Sequence, residues 1–283
     1  MTANLQQPKR ALDRLFLRSV RPLLKLAVLR RYHVRSFRHA LGYFLRDREI
    51  TNFTYDLAND GELAEFLAAA AGRSGEAVDS YLRELSEDHE LDERLAAKLR
   101  RRRDRNPRPK FGRRAGWYGL VRIFKPSLVV ETGTHDGLGT AVLLRAVERN
   151  AAEGTIGRLL SFDVDPSSGW LVADADPDLL ELHVGDTARV LEPAFDGRAV
   201  GLFVHDSLHT YEHETFELET AVRHAAERLV LISDNAHASD ALRDLCGRLS
   251  IQYHHFRERP RDHFYPGAAI GLAVYERPGQ SAQ

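Results

Sequence analysis

Residues 128–140, LVVETGTHDGLGT, constrain the fold more than any other stretch of the chain. A short apolar run ends at Glu131, glycines follow at Gly133, Gly137 and Gly139, and an apolar, helix-forming segment comes next. This order is typical of a strand, a tight turn and a helix in an α/β sheet. Glycine has no Cβ, so the turn can bend sharply and a ligand can approach its backbone. The stretch predicts a nucleotide-type cofactor turn, although the turn alone does not identify the cofactor.

The following segments alternate between strand-like and helix-like patterns, which is typical of a mostly parallel sheet with helices on both faces. Strands are predicted at 128–131, 159–163, 180–184, 200–205 and 228–233. Helices are predicted at 138–150, 187–193 and 211–226, with a loop-rich crossover near 167–179. Two further strand-like runs form a hairpin-like pair, at 250–257 and 268–276. The predicted fold class is therefore α/β.

An acid, or an acid followed by an amide, stands at the C-terminal end of each of the first five predicted strands. These residues are Glu131, Asp163, Asp186, Asp206 and the pair Asp234-Asn235. The C-terminal edge of an open α/β sheet is where ligands bind. A single aspartate at such a position is more often the cap of the next helix. Five in register favour a shared functional edge.

Two combinations of motifs resemble a known family. The run ETGTHDG, with Asp163, the GDT at 185–187 and the closing strand pair, resembles class I S-adenosylmethionine-dependent methyltransferases. The segment HDSLHTYEHETFELE, followed by a strand ending in SDN, is similar to a branch of them. That branch includes macrocin-type sugar O-methyltransferases and cephalosporin-hydroxylase-like proteins. The resemblance covers residues 113–276 and implies a Rossmann-like, seven-stranded sheet whose last strand is antiparallel.

The resemblance also implies roles for the residues of the glycine turn and the next two strands. Gly133 and Gly137 would border S-adenosylmethionine, and Glu131 would lie near its amino-acid end. Asp163 would hold the ribose hydroxyls, and Asp186 would lie by the adenine. The chain departs from the family at His135, where a middle glycine is usual, so the local shape of the loop differs from the common pattern.

The same resemblance places a base and a metal site beyond the fourth and fifth strands. In metal-using members, an acid after strand four and a pair after strand five hold magnesium, and a histidine three residues after the first acid is the base. Those positions are Asp206, Asp234, Asn235 and His209. The pair is Asp-Asn instead of two acids, which weakens the case for magnesium. His237 is the rival base.

The chemistry of methyl transfer agrees with these residue types. Transfer from a sulfonium to a hydroxyl requires alignment of donor and acceptor and removal of the hydroxyl proton. A histidine titrating near neutrality suits the second task. Magnesium prefers carboxylate and carbonyl oxygens, and it could bind and acidify a substrate diol. The predicted function is O-methylation of a small-molecule or glycosidic hydroxyl, with assistance by magnesium as an open option.

Other functions remain open from the residues themselves. A nicotinamide-dependent oxidoreductase has a similar turn, but the glycines are not spaced as G-x-G-x-x-G and no Tyr-Lys pair stands near the fourth strand. A non-catalytic binding protein could keep the fold. A zinc site at His205, His209 and His213 requires all three on one helix, and His205 belongs to the predicted strand.

Residues 1–110 are predicted to form a helical extension, and residues 111–283 the cofactor-binding domain. The boundary is placed in the basic, proline-containing run at 100–110, which is expected to be a solvated linker. Asn59 or Asp60 is predicted to cap a helix that stops at Gly72, and Ser74 to cap the next one. A short helix over 117–124 precedes the first strand.

Residues 9–31 are predicted to be an amphipathic helix that Pro22 kinks or splits. One side carries the basic residues Arg14, Arg18, Arg21 and Lys25. The favoured interpretation is a helix packed on the domain or a second subunit, with its basic face in water. Contact with a membrane surface is the alternative. A homodimer is plausible on this pattern.

Charge and cysteine content narrow the class of protein. The formal net charge is -1, so the molecule as a whole lacks the positive field of a nucleic-acid-binding protein. The single cysteine, Cys246, cannot form a disulfide framework, which fits a reducing compartment. No signal-peptide core or membrane span is expected, and we predict a cytoplasmic location. Acceptor specificity is expected in the helical first hundred residues and the loop 257–268.

Overall fold

The computed structural model describes residues 22–32, 37–46, 54–102 and 104–278. The strands are β1 (Leu128–Thr132), β2 (Arg158–Asp163), β3 (Leu180–Val184), β4 (Val200–His205), β5 (Ala225–Asp234), β6 (His254–Arg257) and β7 (Ala269–Glu276). They form one seven-stranded sheet in the order β3-β2-β1-β4-β5-β7-β6. β1 to β5 pair in parallel, whereas β7 is antiparallel to both β5 and β6. The predicted α/β class and antiparallel last strand are confirmed.

The helices lie before the sheet and between its strands. They are α1 (Phe37–Arg46), α2 (Asp60–Ala71), α3 (Gly75–Ser86), α4 (His89–Leu99), α5 (Ala115–Phe124), α6 (Leu138–Ala152), α7 (Thr187–Phe195), α8 (Tyr211–Arg223) and α9 (Ala241–Leu249). Residues 22–31 are also helical. α9 is absent from the prediction: its nine residues are fewer than a periodic pattern needs to stand out.

Two apolar cores cover the two faces of the sheet. Alternate residues of a strand point to opposite faces, so Val129 joins one core while Leu128 and Val130 join the other. Helices α2 to α6 pack on the first face, and α7 to α9 pack on the second. The helical extension and the sheet therefore share one core. The domain boundary at 100–110 stays a prediction.

The predicted helix signals of the extension are present in the structure. Gly72 ends α2 in the left-handed conformation, with φ 60°. Ser74 caps α3, since its side chain accepts a hydrogen bond from the Ala77 amide. Asn59 stands at the cap position of α2, but its side chain binds elsewhere: Nδ2 donates to Arg257 O, and Oδ1 accepts from Arg259 N. The extension is thereby tied to the segment after β6.

Lys25 corrects the prediction of a basic face in water. Its side chain is 3% exposed, and Nζ donates to Tyr43 O at 2.6 Å and to Phe44 O at 3.2 Å. The ammonium thus satisfies the C-terminal carbonyls of α1, where the helix leaves acceptors free. Arg14, Arg18 and Arg21, the rest of 9–21 and the predicted effect of Pro22 on it lie outside the described residues. Within the described part of the chain, no helix is long and apolar enough to span a membrane.

Candidate functional site

The site lies where the strand order reverses, between β1 and β4. From β1 the chain proceeds to β2 and β3 on one side of the sheet, and β4 and β5 lie on the other. Such a switch point opens a crevice at the C-terminal ends of the strands. Gly133, with φ 95°, occupies its floor, and a Cβ there would overlap the carbonyl oxygen of Asp206. The glycine is therefore required by close contact between the loops after β1 and β4.

Glu131 lies beneath this turn with its carboxylate buried. Its Oε2 accepts hydrogen bonds of 2.6 Å from both Thr140 Oγ1 and Ser161 Oγ. Burial nevertheless raises the pKa of Glu131 to about 7, because water no longer solvates the charge. A Cβ on Gly139 would stand 2.6 Å from Glu131 Oε1, so this glycine leaves room for the carboxyl group.

His135 and Asp163 fix the shape of the glycine turn. His135 adopts φ 47°, the left-handed region that a glycine adopts freely. Its amide donates to Asp163 Oδ2 at 2.7 Å, and the Asp165 amide donates to Asp163 Oδ1 at 2.9 Å. The hydrogen bond to Asp163 compensates for the missing glycine. Each Asp163 oxygen keeps a further lone pair, so the predicted ribose contact stays sterically and chemically open.

Two of the remaining predicted donor-site residues have structural partners. Gly137, with φ 91°, packs on Gly169, whose Cα would be 3.2 Å from an added Cβ. Asp186 caps α7, since Oδ1 accepts from Ala188 N at 3.0 Å. The capping alternative thus holds for Asp186. A contact with adenine stays a prediction.

Arg105 corrects the prediction that the whole basic run at 100–110 is a solvated linker. Its guanidinium is buried and pairs with Asp136 inside the glycine turn. Asp136 Oδ1 also accepts from Arg105 Nη2 at 3.0 Å and from Trp170 Nε1 at 2.7 Å. Through Arg105, the run at 100–110 therefore stabilises the glycine turn.

His209 lies in the loop after β4, facing two other predicted site residues. Its Nε2 is 3.6 Å from Asp206 Oδ1 and 2.9 Å from Asn235 Nδ2. Burial lowers the pKa of His209 to about 4, so the ring is neutral at physiological pH. Asn235 Nδ2 also donates to Asp234 Oδ2 at 3.1 Å, which fixes the orientation of the amide, so His209 Nε2 accepts the hydrogen bond and Nδ1 carries the proton of the neutral ring. Nδ1 is buried and has no hydrogen-bond partner among the described residues.

Asp206 and Asp234 form a carboxyl pair at the ends of β4 and β5. Burial and the neighbouring Asp234 charge raise the pKa of Asp206 well above its usual range. The pKa of Asp234 is lowered to about 2, because Arg113 outweighs the cost of its burial. The two carboxyl groups therefore differ: Arg113 stabilises the charge on Asp234, whereas burial and the Asp234 charge disfavour the charge on Asp206.

Arg113 binds Asp234 through two nitrogens. Nε donates to Oδ1 at 2.6 Å, and Nη2 donates to Oδ2. The same guanidinium donates to Glu258 Oε1 at 2.9 Å and to Tyr55 Oη at 3.1 Å. Nothing in the sequence around Arg113 marks it as a site residue, since its partners are 58 to 145 residues away.

The arrangement of Asp206, Asp234 and Asn235 does not fit a magnesium ion. Both Asp234 oxygens already accept hydrogen bonds from Arg113, and Asp234 is fully buried. Over the described ranges, no group of three or more His, Cys, Asp or Glu residues could hold a metal ion. Magnesium stays a prediction that this geometry disfavours.

Glu217 organises a buried polar network behind the site. It accepts hydrogen bonds of 2.6 Å from His205 Nδ1 and Thr132 Oγ1, and it also binds Thr187, Ser207 and His213. Although burial opposes it, these contacts lower the pKa of Glu217 far below its usual range. His205 is fully buried and lies on β4, the strand to which the sequence assigns it. Its position on β4 breaks the helical face that a zinc site would need.

A cavity of 390 Å³ opens beside His209 and Asp206. Tyr32, Tyr55 and Tyr265 contribute aromatic walls, and Arg31 and Arg114 contribute cations. Tyr32 follows the N-terminal helix, Tyr55 precedes α2, and Tyr265 lies in the loop before β7. These tyrosines belong to the two regions in which acceptor specificity is predicted. The rival base His237 also lines this cavity, and burial lowers the pKa of its ring.

The comparison with family models decides the identity of the central segment. Residues 130–236, from β1 to just beyond β5, match the model described as a methyltransferase domain. This segment is a methyltransferase domain. It contains the predicted donor-site and metal residues and His209, whereas the rival base His237 follows it. The seven-stranded sheet and the antiparallel β7 described above are those that the resemblance to class I S-adenosylmethionine-dependent methyltransferases implies.

No curated protein matches the chain. Among solved structures, it is similar to the O-methyltransferase TomG from Streptomyces achromogenes in complex with SAM, at 19% identity and a TM-score of 0.49, covering 68% of this chain and 91% of that one. It is also similar to an O-methyltransferase from Bacillus cereus in complex with SAH, at 13% identity and a TM-score of 0.45, covering 76% and 97%.

Proposed function

We propose that this methyltransferase domain transfers the methyl group of S-adenosylmethionine to a hydroxyl of a small-molecule or glycosidic acceptor. The observation that carries the proposal is the contact between the two halves of the site. The cofactor turn touches the β4 loop at Gly133 and Asp206, and the same loop presents His209 to the cavity. A donor on the turn and an acceptor in the cavity would meet at this contact.

The reaction needs one bond to form and one to break. The acceptor oxygen attacks the methyl carbon, the carbon–sulfur bond breaks, and sulfur keeps the bonding pair as the thioether of S-adenosylhomocysteine. His209 takes the hydroxyl proton at Nε2, the ring nitrogen that carries the lone pair, with the acceptor hydroxyl replacing Asn235 as its hydrogen-bond donor. Asp206 lies beside the base, with Oδ1 3.6 Å from His209 Nε2, and is placed to orient the acceptor. No step is assigned to magnesium, because Arg113 occupies Asp234.

Calorimetric titration with S-adenosylmethionine and with NAD tests the donor. We expect binding of S-adenosylmethionine, and Asp163→Ala should weaken it, since this carboxylate faces the predicted ribose position. Binding of NAD alone would favour an oxidoreductase and overturn the proposal. Binding of neither would support a non-catalytic protein that keeps the fold.

Comparison of two histidine variants tests the base. His209→Ala should keep donor affinity and lose turnover by about 10² to 10⁴-fold, the range for a general base. His255→Ala, on the exposed side of β6, is the matched control and should leave both unchanged. Full activity in His209→Ala would refute the assignment of the base.

A further inference from the structure

Among the cations that line the 390 Å³ cavity beside His209, some have carboxylate partners and others have none among the described residues. Among its lining residues, Arg113 is bound by Asp234 and by Glu258 behind it. Arg31 and Arg114 form no ion pair with any described residue; each guanidinium lies 5.7 Å from an aromatic ring centroid, of Tyr32 and Trp117 respectively. A cation without a carboxylate partner at a cavity wall is a preformed site for an anion.

The cations of the lining differ in what they already bind. Arg113 is bound by Asp234 and Glu258, whereas Arg31 and Arg114 also line the cavity but have no such partners in the described part of the chain. Arg31 is exposed and Arg114 is half-buried. An anionic group that enters the cavity from solvent would therefore meet two guanidiniums that are still able to donate charge-assisted hydrogen bonds.

The positive charge of Arg114 acts on acids in both halves of the site, at the end of β1 and at the ends of β4 and β5. After burial and hydrogen bonds, its charge is among the influences that lower the pKa of Glu131, at the end of β1. It acts in the same direction on Asp206 and Asp234, at the ends of β4 and β5. Arg31 and Tyr32 approach the cavity from the N-terminal helix, and the Tyr32 ring meets Tyr265 edge-on at 5.0 Å. The cavity thus combines free cations with an aromatic wall.

We infer that the acceptor is an anion, a compact hydroxylated compound whose carboxylate or phosphate is bound by Arg114 and Arg31 and whose body lies against Tyr32 and Tyr265. This inference rests on the proposed function and narrows its substrate class. The acid group anchors one end of the acceptor, and its hydroxyl lies towards His209. The carboxylate of the donor itself is the rival ligand for Arg114.

Two pairs of probes test the inference with S-adenosylhomocysteine at saturation. The carboxylate pair is 3,4-dihydroxybenzoate and 3,4-dihydroxybenzamide; the phosphate pair is glucose 6-phosphate and glucose. Calorimetry should show the acid of at least one pair binding about tenfold tighter than its neutral partner, the gain typical of a charge-assisted hydrogen bond. Which pair discriminates distinguishes carboxylate from phosphate.

Variants then locate the anion. Arg114→Gln and Arg31→Gln should reduce the acid-to-neutral ratio to within about twofold, because the charge-assisted bond is lost. Both should retain affinity for S-adenosylhomocysteine. Arg73→Gln, at an exposed arginine after α2, is the matched control and should keep the full ratio.

The outcomes separate the two proposals. Absence of S-adenosylhomocysteine binding by the wild-type protein would refute the proposed function itself. Donor binding with equal affinity for acid and neutral partners, or with no binding of either acid, would overturn only the anionic acceptor. Loss of donor affinity in Arg114→Gln, with an unchanged acid-to-neutral ratio, would assign Arg114 to the donor carboxylate and also overturn the inference.

Discussion

At the scale of single residues, burial sets the protonation states that the reaction would use. Burial removes solvating water from His209, which disfavours its charged form and lowers its pKa to about 4. A base with so low a pKa is weaker than an exposed histidine, but it is unprotonated throughout the physiological range. His209 is therefore a weak base that is in its reactive, neutral form at every physiological pH.

The pH dependence of kcat/KM follows from that pKa. Because His209 acts in its neutral form, we expect kcat/KM for a non-titrating acceptor to change less than about twofold between pH 5 and pH 7 on its account. The fall in activity should begin only as pH approaches 4. A pH–rate profile over pH 4.5–8 checks this. An acid limb centred near 6.5 would show that an exposed histidine is the base.

The raised pKa of Glu131 predicts how the stability of the protein depends on pH. Burial raises the pKa of this carboxyl from 4.5 to about 7, so the folded state binds a proton more readily than the unfolded state. Its contribution is fully present below pH 4.5 and is lost as pH rises through 7. The stability of Glu131→Gln relative to wild type should therefore increase between pH 5 and pH 8, by up to roughly 3 kcal/mol.

Urea denaturation of both proteins at pH 5, 6, 7 and 8 measures this difference. Glu65→Gln, at an exposed position of α2, is the control and should show no such trend. A constant difference between Glu131→Gln and wild type would mean that Glu131 is already ionised at pH 5.

At the scale of elements, Asp88 holds α4 to α6. Its carboxylate caps α4 through the Leu91 amide and accepts from Arg145 Nε at 2.6 Å and from Arg149 Nη2 at 2.9 Å. Although burial opposes it, these contacts lower the pKa of Asp88 to about 2. The extension is thus attached to the first helix of the methyltransferase domain by a buried ion pair as well as by apolar packing.

Asp88→Asn should destabilise the protein by about 2 kcal/mol at pH 7, since it removes the buried anion that Arg145 and Arg149 share, although Arg145 keeps Glu90 and Glu148 as partners. The contribution is present above pH 4 and is lost as pH falls towards 2, so the difference from wild type should shrink in acid. Ser74→Ala removes only a solvent-exposed cap and should cost about 1 kcal/mol. Equal losses in the two variants, measured by chemical denaturation, would contradict a special role for Asp88.

Periodicity located most elements correctly because their signals are local. The predicted strand at 180–184 and that at 200–205 coincide with β3 and β4, and the helix predicted at 138–150 differs from α6 by two residues at its end. The strand predicted at 228–233 is longer in the structure, where β5 begins at Ala225. Its first residues are polar or small, so the alternating pattern does not include them.

At the scale of the whole molecule, Arg113 joins three distant parts of the chain. It binds Tyr55 before α2, Asp234 at the end of β5, and Glu258 after β6. Arg113→Met should leave two buried carboxylates without a cation and cost about 3 to 5 kcal/mol. Arg228→Met, whose ion pair with Glu276 is exposed, is the control and should cost less than about 1 kcal/mol.

Unfolding of the wild-type protein should be a single transition, because the extension and the sheet share one core. Circular dichroism reports all helices, and fluorescence reports the two tryptophans, Trp117 of α5 and Trp170. The two denaturation curves should coincide. Two separate transitions would instead establish the predicted boundary at 100–110 as a folding boundary.

Turnover should also survive removal of divalent metal. Arg113 already supplies the positive charge beside Asp234, so treatment with EDTA is expected to change kcat by less than about twofold, an effect too small for a metal that generates or orients the nucleophile. The measurement is an assay before and after chelation, with magnesium added back as the control. Loss of activity that magnesium restores would show that Arg113 yields Asp234 to the ion.

The sequence by itself determined the α/β class, the glycine turn and the acids at the C-terminal edge of the sheet. These features depend on apolar periodicity and on residues next to one another in the chain, and parallel strands bring their ends together by necessity. Only the tertiary structure decided which of those acids are engaged by other side chains. Arg113 meets Asp234 across 121 residues, and Glu217 gathers five partners behind the site. Such pairings follow from packing between elements, which no local pattern encodes.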